Sequence, residues 1–266
     1  MNKGTLSNAL RALRLIYWTD RLRYVLEKWN NRHSNRNFLR EHPGVAIPPD
    51  YLLYESYRLD YSKYFSQGKE TAQWIAAHLE KYIDFDGKKI LDWGCGPGRV
   101  LRHLPEVLGP SCVLHGTDYN QRSIEWCRTN LPGISFNHNA LEANLPYPDG
   151  FFDAIYGISI ITHLSEPMHY AWVAELLRVL SPGGVLFLTA QGDAFKIKMT
   201  SSELEAYQRG ELVVRGKVKE GHRTYSAFHP RPFMEKLFEK TQVLEHIAPP
   251  AEKGKGLAQD VWVLKK

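Results

Sequence analysis

At 266 residues the chain is long enough to bury one substantial core with additions. Its 43% apolar and 24% charged residues exclude a disordered chain, and no apolar run approaches the length of a bilayer span. The net charge of +5 is scattered except near the N-terminus and gathers into no basic-aromatic recognition module, so no nucleic acid partner is expected. Three cysteines, Cys95, Cys112 and Cys127, in neither paired nor metal-ligating spacing, point to a reducing, cytoplasmic setting and to no metal.

Residues 6–29 read as an amphipathic helix, with Leu6, Leu10, Leu13, Ile16 and Tyr17 at helical spacing and Arg11, Arg14, Arg21 and Arg23 between them. Trp18 and Trp29 add aromatic bulk, and Arg11 and Arg14 break up what would be a signal peptide's apolar core. A helix of this kind suits an anionic membrane surface, and equally well packs on the rest of the chain or on a second subunit. Residues 30–50 read as a polar connector broken by Pro43-Gly44 and Pro48-Pro49. Tyr54, Tyr57, Tyr61 and Tyr64 then recur at steps that place them on one helical face. Gly68 precedes a helix expected over Thr71–Tyr82, and Asp84-Phe85-Asp86-Gly87 turns into the first strand.

Ile90-Leu91-Asp92-Trp93 opens that strand, and Gly94-Cys95-Gly96-Pro97-Gly98 follows as a tight turn before Val100, Leu101 and Leu104 at helical spacing. Glycines are needed where the backbone turns sharply or lies against a ligand. The strand, turn and helix make the first unit of a nucleotide-binding α/β fold. A dinucleotide fingerprint would place a third glycine where Arg99 stands, and Asp92 would repel a pyrophosphate but attract an amine.

Val113–Asp118 is the second strand, ending in an acid at the distance where such folds place one on a ribose. Gln121–Asn130 is a helix, and Ile134–Asn139 is a third strand. Pro146, Pro148 and Gly150 make a turn into a strand that begins near Asp153 and ends near Gly157 and Ile158. Ser159, Thr162 and His163 fall at the carboxyl end of that strand, where ligands bind in open α/β sheets. Met168–Leu180 is a long helix and Val185–Thr189 a fifth strand. Residues 191–228 fit no parallel repeat; Glu203–Tyr207 reads as helix and Glu211–Val218 as an extra strand or hairpin. Phe233–Lys240 is a helix, Val243–Ile247 a sixth strand, 249–256 an exposed loop, and Gln259–Leu264 the last strand.

Three runs carry a family resemblance: Ile90 to Val100, Leu145-Pro146-Tyr147-Pro148-Asp149-Gly150-Phe151-Phe152-Asp153, and Leu177-Arg178-Val179-Leu180-Ser181-Pro182-Gly183-Gly184. Together with Asp118 they resemble the class I S-adenosylmethionine methyltransferases. The resemblance implies a Rossmann-like α/β fold: a seven-stranded, mostly parallel sheet with an antiparallel last strand beside the fifth, helices on both faces and, here, an N-terminal helical extension. It divides the chain into an N-terminal helix and connector, 1–50, and a methyltransferase domain, 51–266, in which 191–230 covers the acceptor site. It implies S-adenosylmethionine as cofactor, with S-adenosylhomocysteine as product. Asp92 then approaches the methionine amine. Gly94, Cys95, Gly96 and Gly98 lie against methionine and ribose, and Asp118 accepts from the ribose hydroxyls. Tyr119 lies on adenine, and Asn139 and Ala140 sit at its edge, with Asn139 in place of the family's usual Asp. The backbone near Ile158 faces the methionine.

Methyl transfer to a hydroxyl needs a base in reach, and His163 and His229 are the catalytic candidates. The alternative for His163 is a part in organising the turn before Ser165-Glu166-Pro167. Tyr57, Tyr61 and Tyr225 are the candidates for contact with the acceptor, since tyrosine brings apolar area and a hydrogen-bonding tip. The C-terminal pattern is similar to methyltransferases of sugar and surface-polysaccharide biosynthesis, so O-methylation of a sugar or lipid-linked saccharide is expected. Methylation of an aromatic natural product is the alternative, and non-catalytic binding of the cofactor is a third reading.

Overall fold

The structure is a computed structural model that describes residues 3–252 and 256–266. The first two residues of the expected 1–50 segment, and 253–255 of the expected loop at 249–256, lie outside the described residues. The strand order is β3-β2-β1-β4-β5-β9-β8, with a separate β6-β7 hairpin. The chain divides into two compact units, Tyr17–Asn139 and a second formed by Met1–Ile16 with Ala140–Lys266.

In the Tyr17–Asn139 unit, β1 (Lys89–Trp93), β2 (Val113–Asp118) and β3 (Ser135–His138) pair in parallel, with Asp92 opposite Gly116 and Asp118 opposite His138. Strands β1 and β2 are buried along most of their length, as strands covered on both faces are, whereas only Phe136 is buried in β3. Helix α5 (Leu104–Leu108), preceded by a 3₁₀ turn at Leu101–His103, links β1 to β2, and α6 (Gln121–Asn130) links β2 to β3. Asn120 caps α6, its side chain accepting from Arg122 N at 3.1 Å.

The helices before β1 depart from the sequence reading. Helix α2 (Ile16–Glu41) runs straight through the polar stretch read as connector. Its polar residues find partners without breaking the helix: Asn31 and Ser34 donate to carbonyls one turn back, and Asn35 reaches outside it to Leu59 O and Tyr61 N. The chain leaves the helix only at the Pro43-Gly44 breaker. The tyrosines do not share one helical face. Helix α3 (Asp50–Ser56) stops, and α4 (Tyr61–Leu79) starts afresh where Asp60 accepts from Lys63 N at 3.0 Å. Buried Leu53, Tyr54, Leu59 and Tyr64 form a small core there, with Tyr24, Ile47 and Tyr61 packed against it.

Helix α4 also passes through Gly68 instead of starting after it. A Cβ at Gly68 would stand 2.3 Å from the carbonyl oxygen of Arg99, so the glycine is there to let the chain after the glycine-rich turn lie directly on the helix.

In the other unit, β4 (Phe152–Gly157) pairs parallel with β5 (Leu180–Ala190). Strand β9 (Asp260–Lys265) runs antiparallel beside β5, as expected, and β8 (Gln242–Ile247) runs antiparallel on β9. Helix α7 (Glu166–Val179) joins β4 to β5, and α9 (Arg231–Leu237) precedes β8. Residues 191–228 hold a 3₁₀ segment at Asp193–Lys198, α8 (Ser201–Gln208), and the hairpin of β6 (Val213–Arg215) with β7 (Ser226–Phe228). This insertion has its own apolar core, with Phe195, Met199, Tyr207, Val213 and Phe228 buried together.

The expected single helix over 6–29 is two. Helix α1 (Lys3–Ala12) ends before Arg14, which takes a left-handed φ of 57°. Helix α1 belongs to the insertion: Asn8 donates to Glu203 at 3.0 Å, and Arg11 donates to the Arg215 carbonyl at 3.1 Å. Glu203 also holds Arg215 through two hydrogen bonds, at 2.9 and 2.7 Å, and this pair pulls the Glu203 carboxyl down to about 2 against the opposing effect of its own burial.

The two runs that resembled family signatures in this unit hold each other. Arg178 donates to Asp149, Tyr147 O and Leu145 O, and Gly150 N donates to Arg178 O. Glu175 receives Arg178 on one side and Leu145 N on the other, at 2.6 Å.

Candidate functional site

The glycine-rich turn is a left-handed loop sewn to the end of β2. Gly94, Gly96 and Gly98 take φ of 78°, 51° and 73°, which accounts for their alternation, since other residues pay for that conformation. Gly94 N and Cys95 N both donate to Thr117 O, at 2.8 and 2.9 Å. A Cβ at Gly98 would meet Leu131 Cδ1 at 2.4 Å, so α6 packs directly on the loop's backbone. Tyr64 braces the loop from α4, its hydroxyl donating to Pro97 O at 2.7 Å.

Asp118 closes this arrangement. One carboxylate oxygen accepts from Gly96 N at 2.8 Å and the other from Asn120 N at 2.7 Å. Burial raises its pKa to about 6, although both N–H groups pull the other way. Asp92 is buried at the end of β1, beneath the same loop. Tyr119 is partly exposed, its hydroxyl pushed up to about 12 by burial and then by Asp118 and Glu55. Asn139 is buried, and its N–H donates to Asp118 O at 3.2 Å. Asp92, Gly94, Cys95, Gly96, Gly98, Asp118, Tyr119 and Asn139 thus lie in one unit, whereas Ala140, which is exposed, and Ile158 lie in the other. The sequence reading missed Glu55, whose carboxylate receives Asn120 Nδ2 at 3.1 Å; nothing in the spacing ties residue 55 to the end of β2.

A cofactor with a sulfonium, an ammonium and a ribose fits these groups. Buried carboxylates of Asp92 and Asp118 flank a loop of left-handed glycines, and the same acids would repel a pyrophosphate. A shallow cleft of about 460 Å³ elsewhere in this unit is lined by Leu39, Ile47, Pro48, Pro49, Asp50, Tyr61 and Trp126, and by none of these residues.

Of the acceptor candidates, Tyr57 lies under the Arg99 guanidinium at 4.4 Å and bonds Gln67 through its hydroxyl. Tyr61 donates to Asp50 at 2.6 Å. Both hydroxyls are therefore engaged, and one face of the Tyr57 ring is covered by Arg99.

In the second unit, the chain leaves β4 through Ser159, which holds a left-handed φ of 64°. A non-glycine residue persists there only where its surroundings hold it. Ser159 N donates to Thr189 Oγ1 at 2.8 Å, and Ser159 Oγ receives Gln259 Nε2 at 2.8 Å. Thr189 Oγ1 donates to Gln259 Oε1, and Thr162 Oγ1 to Ser159 O, both at 2.6 Å. Gln259, immediately before β9, was also invisible to spacing.

His163 ends the 3₁₀ turn that follows. Its Nδ1 lies 2.8 Å from Tyr225 O, and its own carbonyl accepts from Gly221 N at 2.9 Å. A carbonyl can only accept, so Nδ1 carries the proton and Nε2 keeps a lone pair. Burial lowers the pKa and keeps the ring neutral near pH 7. Tyr225 itself is buried, so the contact with His163 runs through its backbone.

His229 is 2% exposed and faces another histidine, the two Nε2 atoms 2.9 Å apart. His169 Nδ1 donates to Ser165 O at 2.7 Å, which leaves its Nε2 as acceptor and makes His229 Nε2 the donor. His229 Nδ1 then bears a buried lone pair with no hydrogen-bond partner among the described residues. Burial holds His169 near 4 and His229 well below the usual imidazole range.

Residues 90–184 match a family model described as a methyltransferase domain. The phthiotriol/phenolphthiotriol dimycocerosates methyltransferase 1 of Mycobacterium ulcerans is 32% identical over 151 residues, 53% of this chain and 54% of that protein. The fatty-acid O-methyltransferase of Mycolicibacterium smegmatis is 34% identical over 108 residues, 40% of this chain and 38% of the relative. The chain spans about half or less of the length of these curated relatives. Among solved structures, a methyltransferase from Methanosarcina mazei aligns with a TM-score of 0.53 at 17% identity, over 71% of this chain and 96% of that one. The 1,6-didemethyltoxoflavin-N1-methyltransferase of Burkholderia thailandensis, solved with S-adenosylhomocysteine bound, aligns at 0.53 and 15% over 75% of this chain and 78% of its own. These two likenesses speak for the fold.

Proposed function

We propose that the chain is a class I S-adenosylmethionine-dependent methyltransferase that transfers a methyl group from that cofactor to an oxygen of a small-molecule or lipid acceptor. One observation supports the cofactor half above all: the Asp118 carboxylate, buried and fixed by Gly96 N and Asn120 N at the edge of a left-handed glycine loop. In this reading Asp118 and Asn139 hold ribose and adenine, with Tyr119 and Ala140 beside the base. Asp92, Gly94, Cys95, Gly96, Gly98 and the backbone near Ile158 hold the methionine part. The cofactor supplies an electrophilic methyl group on sulfur.

The chain's own part is to hold an acceptor oxygen in line and relieve it of a proton. His163 is suited to the second task, because Tyr225 O fixes Nδ1 as donor and so turns the unprotonated Nε2 into the base. His229 shares a proton with His169 and serves to position this region. Tyr57 and Tyr61 offer ring faces to an apolar acceptor. Two curated relatives are named for phthiotriol and phenolphthiotriol dimycocerosates and for fatty acids, which favours a lipid acceptor over the expected sugar or saccharide. Free cysteines go with a cytoplasmic setting, and no described helix is long and apolar enough to cross a membrane. An acceptor held in lipid calls for a peripheral contact, and the exposed apolar side chains of α2 suit one.

Turnover with long-chain fatty acids and alcohols tests this reading. His163→Gln is expected to lower kcat about 100-fold or more while S-adenosylhomocysteine affinity stays within a few-fold. Equal kcat in the variant removes His163 as base.

A further inference from the structure

Helix α2 wears its apolar side outward. Trp18, Leu22, Val25, Leu26 and Trp29 recur at the spacing of one helical stripe, and all are exposed, Trp18 at 72%, Leu22 at 61% and Trp29 at 63%. The inward side is the mixed one. Asp20 accepts from the Tyr54 hydroxyl at 2.8 Å, Tyr24 sets its ring edge-on to Tyr51 and Tyr54, and Asn35 and Phe38 are buried. A helix of a freely soluble domain places these faces the other way round.

The charge on the stripe is one-sided. Arg21 borders it, and Arg32, Arg36 and Arg40 continue it toward the C-terminal end, all exposed. The Arg32 guanidinium lies 4.3 Å over the Trp29 ring, which ties basic head and aromatic anchor together. The acids of the helix are elsewhere: Asp20 and Glu27 lie about half a turn from the stripe and Glu41 about a third of a turn, with Glu27 paired with Arg23 at 3.0 Å. Two tryptophans about 16 Å apart along the axis, aliphatic side chains between them and arginines without acids match what an interfacial helix presents to a lipid surface.

We propose that this face of α2, from Trp18 to Arg40, docks on an anionic lipid–water interface. Charge complementarity selects this occupant. Face-to-face contact with a second copy would bring Arg21, Arg32, Arg36 and Arg40 of each against like charges, whereas lipid phosphates supply the missing opposite charge. Nucleic acid offers phosphates too, but nothing that rewards burial of Leu22, Val25 and Leu26. The helix lies in the plane of the interface, with Trp18 and Trp29 at headgroup depth. The contact does not depend on methyl transfer; it rests on the lipid-acceptor reading only for its purpose, delivery of the site to its substrate.

The test is co-sedimentation of the full chain with vesicles of mixed phosphatidylcholine and phosphatidylglycerol, and of phosphatidylcholine alone. The variants are Trp18→Ala with Trp29→Ala, and Leu22→Glu with Leu26→Glu; all four sites are exposed, so folding is retained, as circular dichroism and melting will check. The wild type is expected to bind the anionic vesicles, more weakly at high salt and on phosphatidylcholine alone. Either double variant is expected to partition about tenfold or more less well, with S-adenosylhomocysteine affinity unchanged. No binding of the wild type to anionic vesicles overturns the proposal. So does binding that ignores both double substitutions, or a wild-type dimer that Leu22→Glu with Leu26→Glu turns into a monomer. Vesicle binding by a protein that does not bind S-adenosylhomocysteine would leave the docking face standing and remove the methyltransferase reading.

Discussion

At the scale of single residues, burial pushes Asp118 toward the protonated acid, whereas Gly96 N and Asn120 N hold it as a carboxylate; the balance falls at about 6. In the proposed site ribose hydroxyls donate to Asp118, so the ionised form is the one expected to bind. The sign follows. S-adenosylhomocysteine affinity rises with pH through about 6 and levels off above about 7, and at pH 5 it stands about tenfold below the plateau. Calorimetry across that range reads this directly, and Asp118→Asn is expected to flatten it. The residue types at this site were readable in advance because chemistry restricts them: only glycine is at ease in a left-handed loop, and an acid at the end of β2 has few other reasons to be buried. Glu55 and Gln259 were not readable. Each reaches its partner across a long stretch of chain, Gln259 to Ser159 and Glu55 to Asn120, and no local pattern encodes such a meeting.

At the scale of elements, periodic stretches came through with their bounds nearly intact, β2 and α6 above all. Misreadings fell where a residue's type was taken for a breaker and tertiary contacts decided otherwise. Asn30 to Asn35 stayed helical because Asn35 has partners at Leu59 and Tyr61. Gly68 stayed inside α4 because the Arg99 carbonyl needs its missing side chain. The break between Tyr57 and Tyr61 had a local signal, Asp60 as helix cap, which the tyrosine spacing outweighed. Gly68→Ala tests the close contact. The added methyl must push α4 from the chain that follows the glycine loop, so despite alanine's better helix propensity the variant is expected to lose about 1–3 kcal/mol in chemical denaturation. A stabilised variant would mean the contact relaxes at no cost.

At the scale of the whole molecule, the basic, aromatic-rich N-terminus has two roles. Helix α1 is tied to the insertion through the Asn8, Arg11, Glu203 and Arg215 contacts. Helix α2 keeps its acid-free stripe for a surface outside the chain. A pattern of Leu and Arg alone could not separate these, since both helices carry it; the left-handed Arg14 does. The central claim, a cofactor held at the ends of β1 and β2, is a proposal that starts from these two strands lying side by side in parallel.

The most direct test of that claim is calorimetric titration of S-adenosylhomocysteine into the wild type, Asp118→Ala and Asp118→Asn at neutral pH, with melting curves to show that each is folded. The account predicts saturable one-to-one binding by the wild type and affinity lower by an order of magnitude or more in both variants. A folded wild type that does not bind, or variants that bind as tightly as the wild type, would contradict it.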